Sequence, residues 1–154
     1  ESGTQRVLDN IIDKRLPLDT IYPAIENAKK AGMGVHTYWI LGFPGETYEE
    51  MQKTVDFAMK SGSDSFSFSC LQPLPGTRMY RQAMKEDLWW SGRSLSEMTF
   101  RSSLLQVPGF SSPEEFEKFV DETNHKANLL FKQREPEAFK LKYGEKAERM
   151  THQT

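Results

Sequence analysis

Cysteine is almost absent from this sequence: Cys70 is the single one among 154 residues. One thiol excludes an internal disulfide and any all-cysteine metal site built within one copy of the chain. No apolar run approaches the ~20 residues needed to span a bilayer, and the start lacks the charged and apolar regions of a signal peptide. The chain therefore reads as soluble and cytoplasmic. Excess charge of either sign is missing too, with 20 Lys and Arg against 22 Asp and Glu. That balance provides no broad basic field for nucleic acid or an anionic membrane. There is no GxGxxG and no GK[ST] phosphate loop, which argues against a nucleotide-binding βαβ domain of those kinds. The histidines His36, His125 and His152 share no metal-ligand spacing. An initiating Met is also lacking: the chain opens on ESGTQRVL and passes almost at once into a helical pattern, as expected of a piece cut from a longer protein.

What is present is an alternation of helix and strand signals. Val7, Leu8, Ile11 and Ile12 recur at helical spacing over 5–12, with ESGT as the loop leading in. After the connector KRLP, Asp19 is placed to cap a second helix with Ile21, Ala24, Ile25 and Ala28 on one face, Pro23 in its first turn and Gly32 at its end. The run 35–41 is rich in β-branched and aromatic residues and apolar on both faces, the pattern of a buried parallel strand. Thr47 and Glu50 then form a T-x-x-E capping box ahead of a helix with Met51, Val55, Ala58 and Met59 as its stripe. Residues 64–71, DSFSFSCL, alternate small polar with apolar side chains, a second strand. QPLPGT turns the chain into a short helix over 78–87.

Beyond Leu88 the periodicity is lost, and 89–111 reads as irregular with a short strand near Leu104. Ser112, Pro113 and Glu115 start a long helix whose stripe is Phe116, Phe119, Val120, Ala127, Leu130 and Phe131. The charged tail from Pro136, with Lys140, Lys142, Glu145, Lys146, Glu148 and Arg149, predicts a short helix followed by fraying. The division is thus an α/β unit at 1–88 and an irregular and helical extension at 89–154.

Three segments in this order, ESGTQRVL, ILGFPGETYEE and LQPLPGT, each joined to the next by a helix, resemble the radical S-adenosylmethionine (SAM) superfamily. The nearest branch is the one whose iron-sulfur oxidoreductases often carry a cobalamin-binding domain. The resemblance covers residues 1–87. It implies an α/β fold that is the second half of a partial (β/α)6 TIM-like barrel, plus a C-terminal helical extension. In that family a CxxxCxxC loop after the first strand holds a [4Fe-4S] cluster, and this sequence has no such motif. The first matching segment corresponds to the end of the family's fourth strand, so the resemblance implies a parent whose N-terminal half is this chain's partner.

The same resemblance implies cofactor contacts. Glu1 and Ser2 fall where side chains hydrogen-bond the ribose and methionine parts of SAM, and a carboxylate and a hydroxyl suit those groups. Lys14, or Arg15 one residue on, falls where relatives pair a basic residue with the SAM carboxylate; a solvated lysine at a helix end is the plain alternative. Ile40 matches the residue lining the adenine slot, and Gly42 lets backbone approach a ligand at a strand's carboxyl end. Leu71 and Gln72 lie where relatives offer backbone groups to adenine. Tyr38 departs from relatives that carry an acid for the ribose. Pro44, Glu46 and Thr47 read as a turn and a helix cap, Cys70 as a small buried hydrophobe, and Trp89, Trp90, Phe100 and Phe110 as packing or as pocket lining.

The parent is thereby expected to cleave SAM reductively at its cluster and start radical chemistry on an unidentified substrate, with cobalamin possible. This chain alone is expected to be inactive and to hold no cofactor. The rival reading is a non-catalytic interaction module, docked through the long helix. An open half barrel would also bare strand edges and the apolar face of 35–41, which predicts self-association.

Overall fold

The computed structural model describes residues 1–146. Its centre is a two-stranded parallel sheet of β1 (His36–Leu41) and β2 (Ser65–Cys70), in register with Trp39 opposite Phe68 and Leu41 opposite Cys70. The crossover between them is α2 (Tyr48–Lys60), started by Thr47 and Glu50 in the expected reciprocal capping box. Trp39, Leu41, Phe66, Phe68 and Cys70 form one apolar face. They are buried with Met51, Val55 and Ala58 of α2 and with Phe116, Val120 and Ala127 of α4 (Pro113–Arg134). A second apolar cluster, Val7, Ile11, Phe43, Leu71, Ala83 and Leu105, gathers at the carboxyl ends of the strands. Among the described residues no helix is long and apolar enough to cross a membrane.

The sheet is not apolar on both sides. Tyr38 is 73% exposed and Ile40 half-buried, while Trp39 and Leu41 are buried. The expected burial of both faces of 35–41 is therefore halved, because helices cover one face of β1 and its other face carries alternate residues outward.

Strand edges are less bare than a half barrel predicts. The Ile40 N–H donates to the Glu1 carbonyl (3.0 Å) on the free side of β1. On the free side of β2, the buried Asn124 of α4 accepts from Phe68 N–H (2.9 Å) and donates to Phe68 C=O (2.8 Å), and Cys70 N–H donates to Phe100 C=O (3.0 Å).

Several local readings change. Residues 5–12 are helical, but Val7–Ile12 is a π-helix, closed by Asp13 in the left-handed region (φ 60°). Asp19 caps nothing; it lies within a 3-10 turn, Leu18–Thr20, that runs directly into α1 (Ile21–Lys30). Only Ile25 of the α1 stripe is buried, because α1 lies at the margin, and Ala24 is exposed. Thr77 caps α3 (Arg78–Lys85), and Ser112 caps α4 as expected, although the Glu115 carboxylate reaches Ser111 rather than Ser112. The irregular stretch crosses itself through an antiparallel bridge of Trp89 and Leu105. The charged tail supplies α5 (Pro136–Tyr143), with Phe139 buried against Phe131. Glu148, Arg149, His152 and the frayed end predicted there lie outside the described residues.

Asn124 gives the first test. Asn124→Ala leaves the buried Phe68 amide and carbonyl without partners, so urea unfolding should show a loss of about 2–3 kcal/mol. A change below ~0.5 kcal/mol would mean that the edge contact is replaced by water.

Candidate ligand site at the carboxyl ends of the strands

The segment 1–4 is built into the structure. Ser2 is fully buried, and its hydroxyl lies 3.2 Å from both the Thr4 and Thr54 hydroxyls, while Gly3 N–H donates to Thr54 Oγ1 (3.0 Å). A Cβ on Gly3 would come within 2.7 Å of Thr54 Cα and Phe57 Cβ, so only glycine allows this segment to lie so close to α2. Ser2 therefore spends its hydroxyl inside the protein, whereas Glu1 keeps an exposed carboxylate.

That carboxylate meets Lys14, with Nζ 3.2 Å from Oε1. Two features place Lys14: the π-helix before it, and the left-handed residues on either side, Asp13 (φ 60°) and Arg15 (φ 50°). π-Turns and left-handed non-glycine residues cost free energy and concentrate at functional positions. Of Lys14 and Arg15, Lys14 faces Glu1, while Arg15 pairs with its neighbour Asp13 and is 85% exposed at the side chain.

The loop after β1 lies beside them. Gly42 takes φ 85°, and a Cβ there would stand 2.9 Å from the Phe116 ring. Its N–H and that of Phe43 both donate to Glu46 Oε2, at 2.9 and 3.1 Å. Glu46 is completely buried, its Oε1 has no partner, and removal from water raises its pKa from an ordinary 4.5 to about 7 against the opposing pull of the two N–H donors. The sequence reading treated Glu46 as turn and cap; Thr47 and Glu50 do that work, and Glu46 instead pins the loop from inside. Only its place directly after Gly45 in the loop marked it in the sequence. Arg6 braces the same loop from outside, donating to Gly45 C=O (2.8 Å) and pairing with Glu50. Glu50 is consequently held below the usual carboxylate range.

At the end of β2, Leu71 is buried and its N–H donates to Leu41 C=O (2.9 Å), which sets the two strand ends side by side. The Gln72 Nε2 donates to Cys70 C=O (3.1 Å) and Ser102 C=O (2.9 Å). Its Oε1 is left buried with no hydrogen-bond partner. Glu1, Lys14, Ile40, Gly42, Leu71 and Gln72 are thus brought to one end of the sheet, and Ser2 lies beneath them. Cys70 is buried, with its thiol pushed up to about 12 chiefly by desolvation, which makes it inert. Phe110 packs on Phe116, Trp90 donates to Ser103, and the Phe100 ring stands exposed. Among the described residues no group of His, Cys, Asp and Glu could hold a metal ion.

No protein-family model matches the chain. It is similar to the cytidylyl-2-hydroxyethylphosphonate methyltransferase of Streptomyces wedmorensis, 34% identical over 134 residues that cover 83% of this chain and 25% of that protein. It is also similar to an uncharacterized methyltransferase of Pyrococcus horikoshii, 38% identical over 88 residues, covering 57% of this chain and 19% of that protein. Both relatives are methyltransferases. The chain spans a quarter or less of their length.

Glu46 makes the site's packing pH-dependent. The unfolded chain releases this proton near 4.5 and the folded one near 7. Its contribution is therefore full below that window and declines as pH rises through it. The stability advantage of Glu46→Gln over the parent should grow between pH 5 and pH 8, by up to about 3 kcal/mol. An advantage that stays constant across this range in paired denaturation curves would refute the buried, raised carboxyl.

Proposed function

We propose that this chain forms the adenosine side of the cofactor site in a radical SAM methyltransferase, as the second half of a partial (β/α)6 barrel completed by other parts of a longer protein. The observation that carries the reading is the convergence of Glu1, Lys14, Ile40, Gly42, Leu71 and Gln72 on one strand end, within sequence 34% identical to a named methyltransferase. These residues suit SAM chemically. Lys14 offers a cation to the carboxylate, Glu1 an acceptor to ribose hydroxyls or the ammonium, and Ile40 with Leu71 an apolar wall to adenine. Backbone groups at Leu71 and Gln72 would meet the polar edge of adenine. SAM, when bound, supplies the activated methyl group and, on reduction, the radical; the residues here bind, orient and shield it from water.

A [4Fe-4S] cluster does not fit the described residues. The one cysteine is buried and inert, so the cluster of this reading belongs to residues outside the chain, as does any cobalamin. The relatives' names support methyl transfer as the reaction class. By the same reasoning the 154 residues alone are inactive.

The decisive experiment reconstitutes the protein containing this segment together with a cluster-bearing segment, anaerobically. Reduction should then consume SAM, and Lys14→Met should weaken SAM binding about tenfold, as expected for loss of a charge-assisted contact. The 154-residue chain should yield no 5′-deoxyadenosine and bind SAM weakly in calorimetry. A cluster absorption band from the chain alone, or a Lys14 variant with unchanged affinity, would overturn this assignment.

A further inference from the structure

The irregular stretch after residue 88 builds a second cavity, away from the sheet. Trp89 and Leu105 form an antiparallel bridge, Trp90 N–H donates to Leu104 C=O (3.0 Å) and Gln106 N–H to Leu88 C=O (2.7 Å). These bonds set Trp90 and Gln106 opposite the end of α3 around a space of about 480 Å³, a size that takes a small organic ligand. None of Glu1, Lys14, Ile40, Gly42, Leu71 and Gln72 lines it; from the loop after β1 it takes only Pro44 and Gly45.

The polar side chains of this lining are Gln82, Glu86 and Gln106, and all three offer acceptors. The Gln82 Nε2 donates to Glu86 Oε2 (3.1 Å) and the Gln106 Nε2 to Trp89 C=O (2.8 Å). Both partners are pure acceptors, so each amide must spend its nitrogen on the protein and keep its oxygen free. Among the described residues neither amide oxygen meets a donor and no cation pairs with Glu86. Glu86 also occupies the C-cap of α3, where the helix dipole disfavours a negative charge. Its neighbour Lys85 does not line the cavity, and Arg6, which reaches the loop at Gly45 C=O, is paired with Glu50.

The remaining walls include two aromatic rings. Phe110 is fixed edge-on to Phe116 with centroids 4.9 Å apart. The Trp90 indole N–H is spent on Ser103 Oγ (3.2 Å), so that side chain offers the cavity its ring and no donor. A lining of acceptors, one uncompensated carboxylate and aromatic rings suits a ligand that carries positive charge and only donates.

From these observations we infer that the cavity binds a small organic ammonium ion, which donates to Glu86 and to the amide oxygens of Gln82 and Gln106 while its charge lies against the Trp90 ring. A primary ammonium has three N–H donors and no acceptor, the complement of this lining. The inference does not rest on the SAM reading, because the two sites share no residue.

The test is an NMR titration of the protein with butylammonium chloride at constant ionic strength, beside butanol, sodium butyrate and, separately, SAM. Saturable shifts are expected at the Trp90 indole N–H and at the Gln82 and Gln106 side-chain amides with butylammonium, and not with butanol or butyrate. Glu86→Gln should weaken butylammonium binding about fivefold, as for loss of an exposed charge pair. Trp90→Leu should weaken it by a similar factor, as for loss of a cation–π contact near the surface, and Trp90→Phe by less. Circular dichroism checks that each variant is folded, and Glu86→Gln carries the test if Trp90→Leu is not. Butylammonium binding here without SAM binding would keep this site and count against the cofactor reading. The proposal falls if butylammonium does not saturate, if butanol binds as well, if the affinity survives both Glu86→Gln and Trp90→Leu, or if the shifts centre on Ile40 and Gly42 instead.

Discussion

Everything else in this molecule hangs on the one-sided burial of a two-stranded parallel sheet. Trp39, Leu41, Phe66, Phe68 and Cys70 are held under α2 and α4, and that contact fixes both the depth of the strands and the height at which they end. Two strands alone make a marginal sheet. Here α2 is a tight crossover, Asn124 fastens the outer edge of β2, and the segment from Glu1 to Thr4 leans on the edge of β1. With strand ends fixed, the loops that follow them can hold unfavourable groups: a left-handed Gly42, a buried carboxyl at Glu46 and an unpaired amide oxygen at Gln72.

Much of this was legible in the residues. The Ser–Phe alternation of DSFSFSC predicts β2 and its buried side, because a period of two is hard to produce any other way. The Thr47 and Glu50 pair marks the start of α2, and Ser112 with Pro113 that of α4. What failed depends on three-dimensional context. Strand 35–41 carries apolar or aromatic residues on both faces, so its composition does not say that only one face is covered. Asp19 resembles a cap because its residue type is right, but the chain is already turning when it arrives. A π-helix has the apolar spacing of an ordinary helix to within a residue, and only its backbone hydrogen bonds reveal it.

The site was legible as a set of positions and not as a set of roles. Ile40, Gly42, Leu71 and Gln72 lie together because each ends or follows a strand, and Glu1 and Lys14 join them through the Ile40 N–H bond to Glu1 and the Glu1–Lys14 ion pair. Ser2 and Glu46 show what position leaves open. A serine expected to face a ligand is instead tied to Thr54, and a glutamate expected to cap a helix is sealed inside the loop it supports. Hydrogen-bond direction and burial are properties of the packed chain, and no spacing rule encodes them.

Gly42 couples the carboxyl end of the sheet to the C-terminal extension. The edge of the Phe116 ring occupies the space where a side chain at position 42 would begin, and Val107 fills the adjoining corner. The first turn of α4 therefore acts as a shim under the loop, and its thickness sets how deep the loop after β1 lies. Trimming or enlarging the residue at 116 would move that loop through its contact with Gly42. The extension after residue 88, irregular as it looks in sequence, is thus a place from which the loop after β1 can be adjusted.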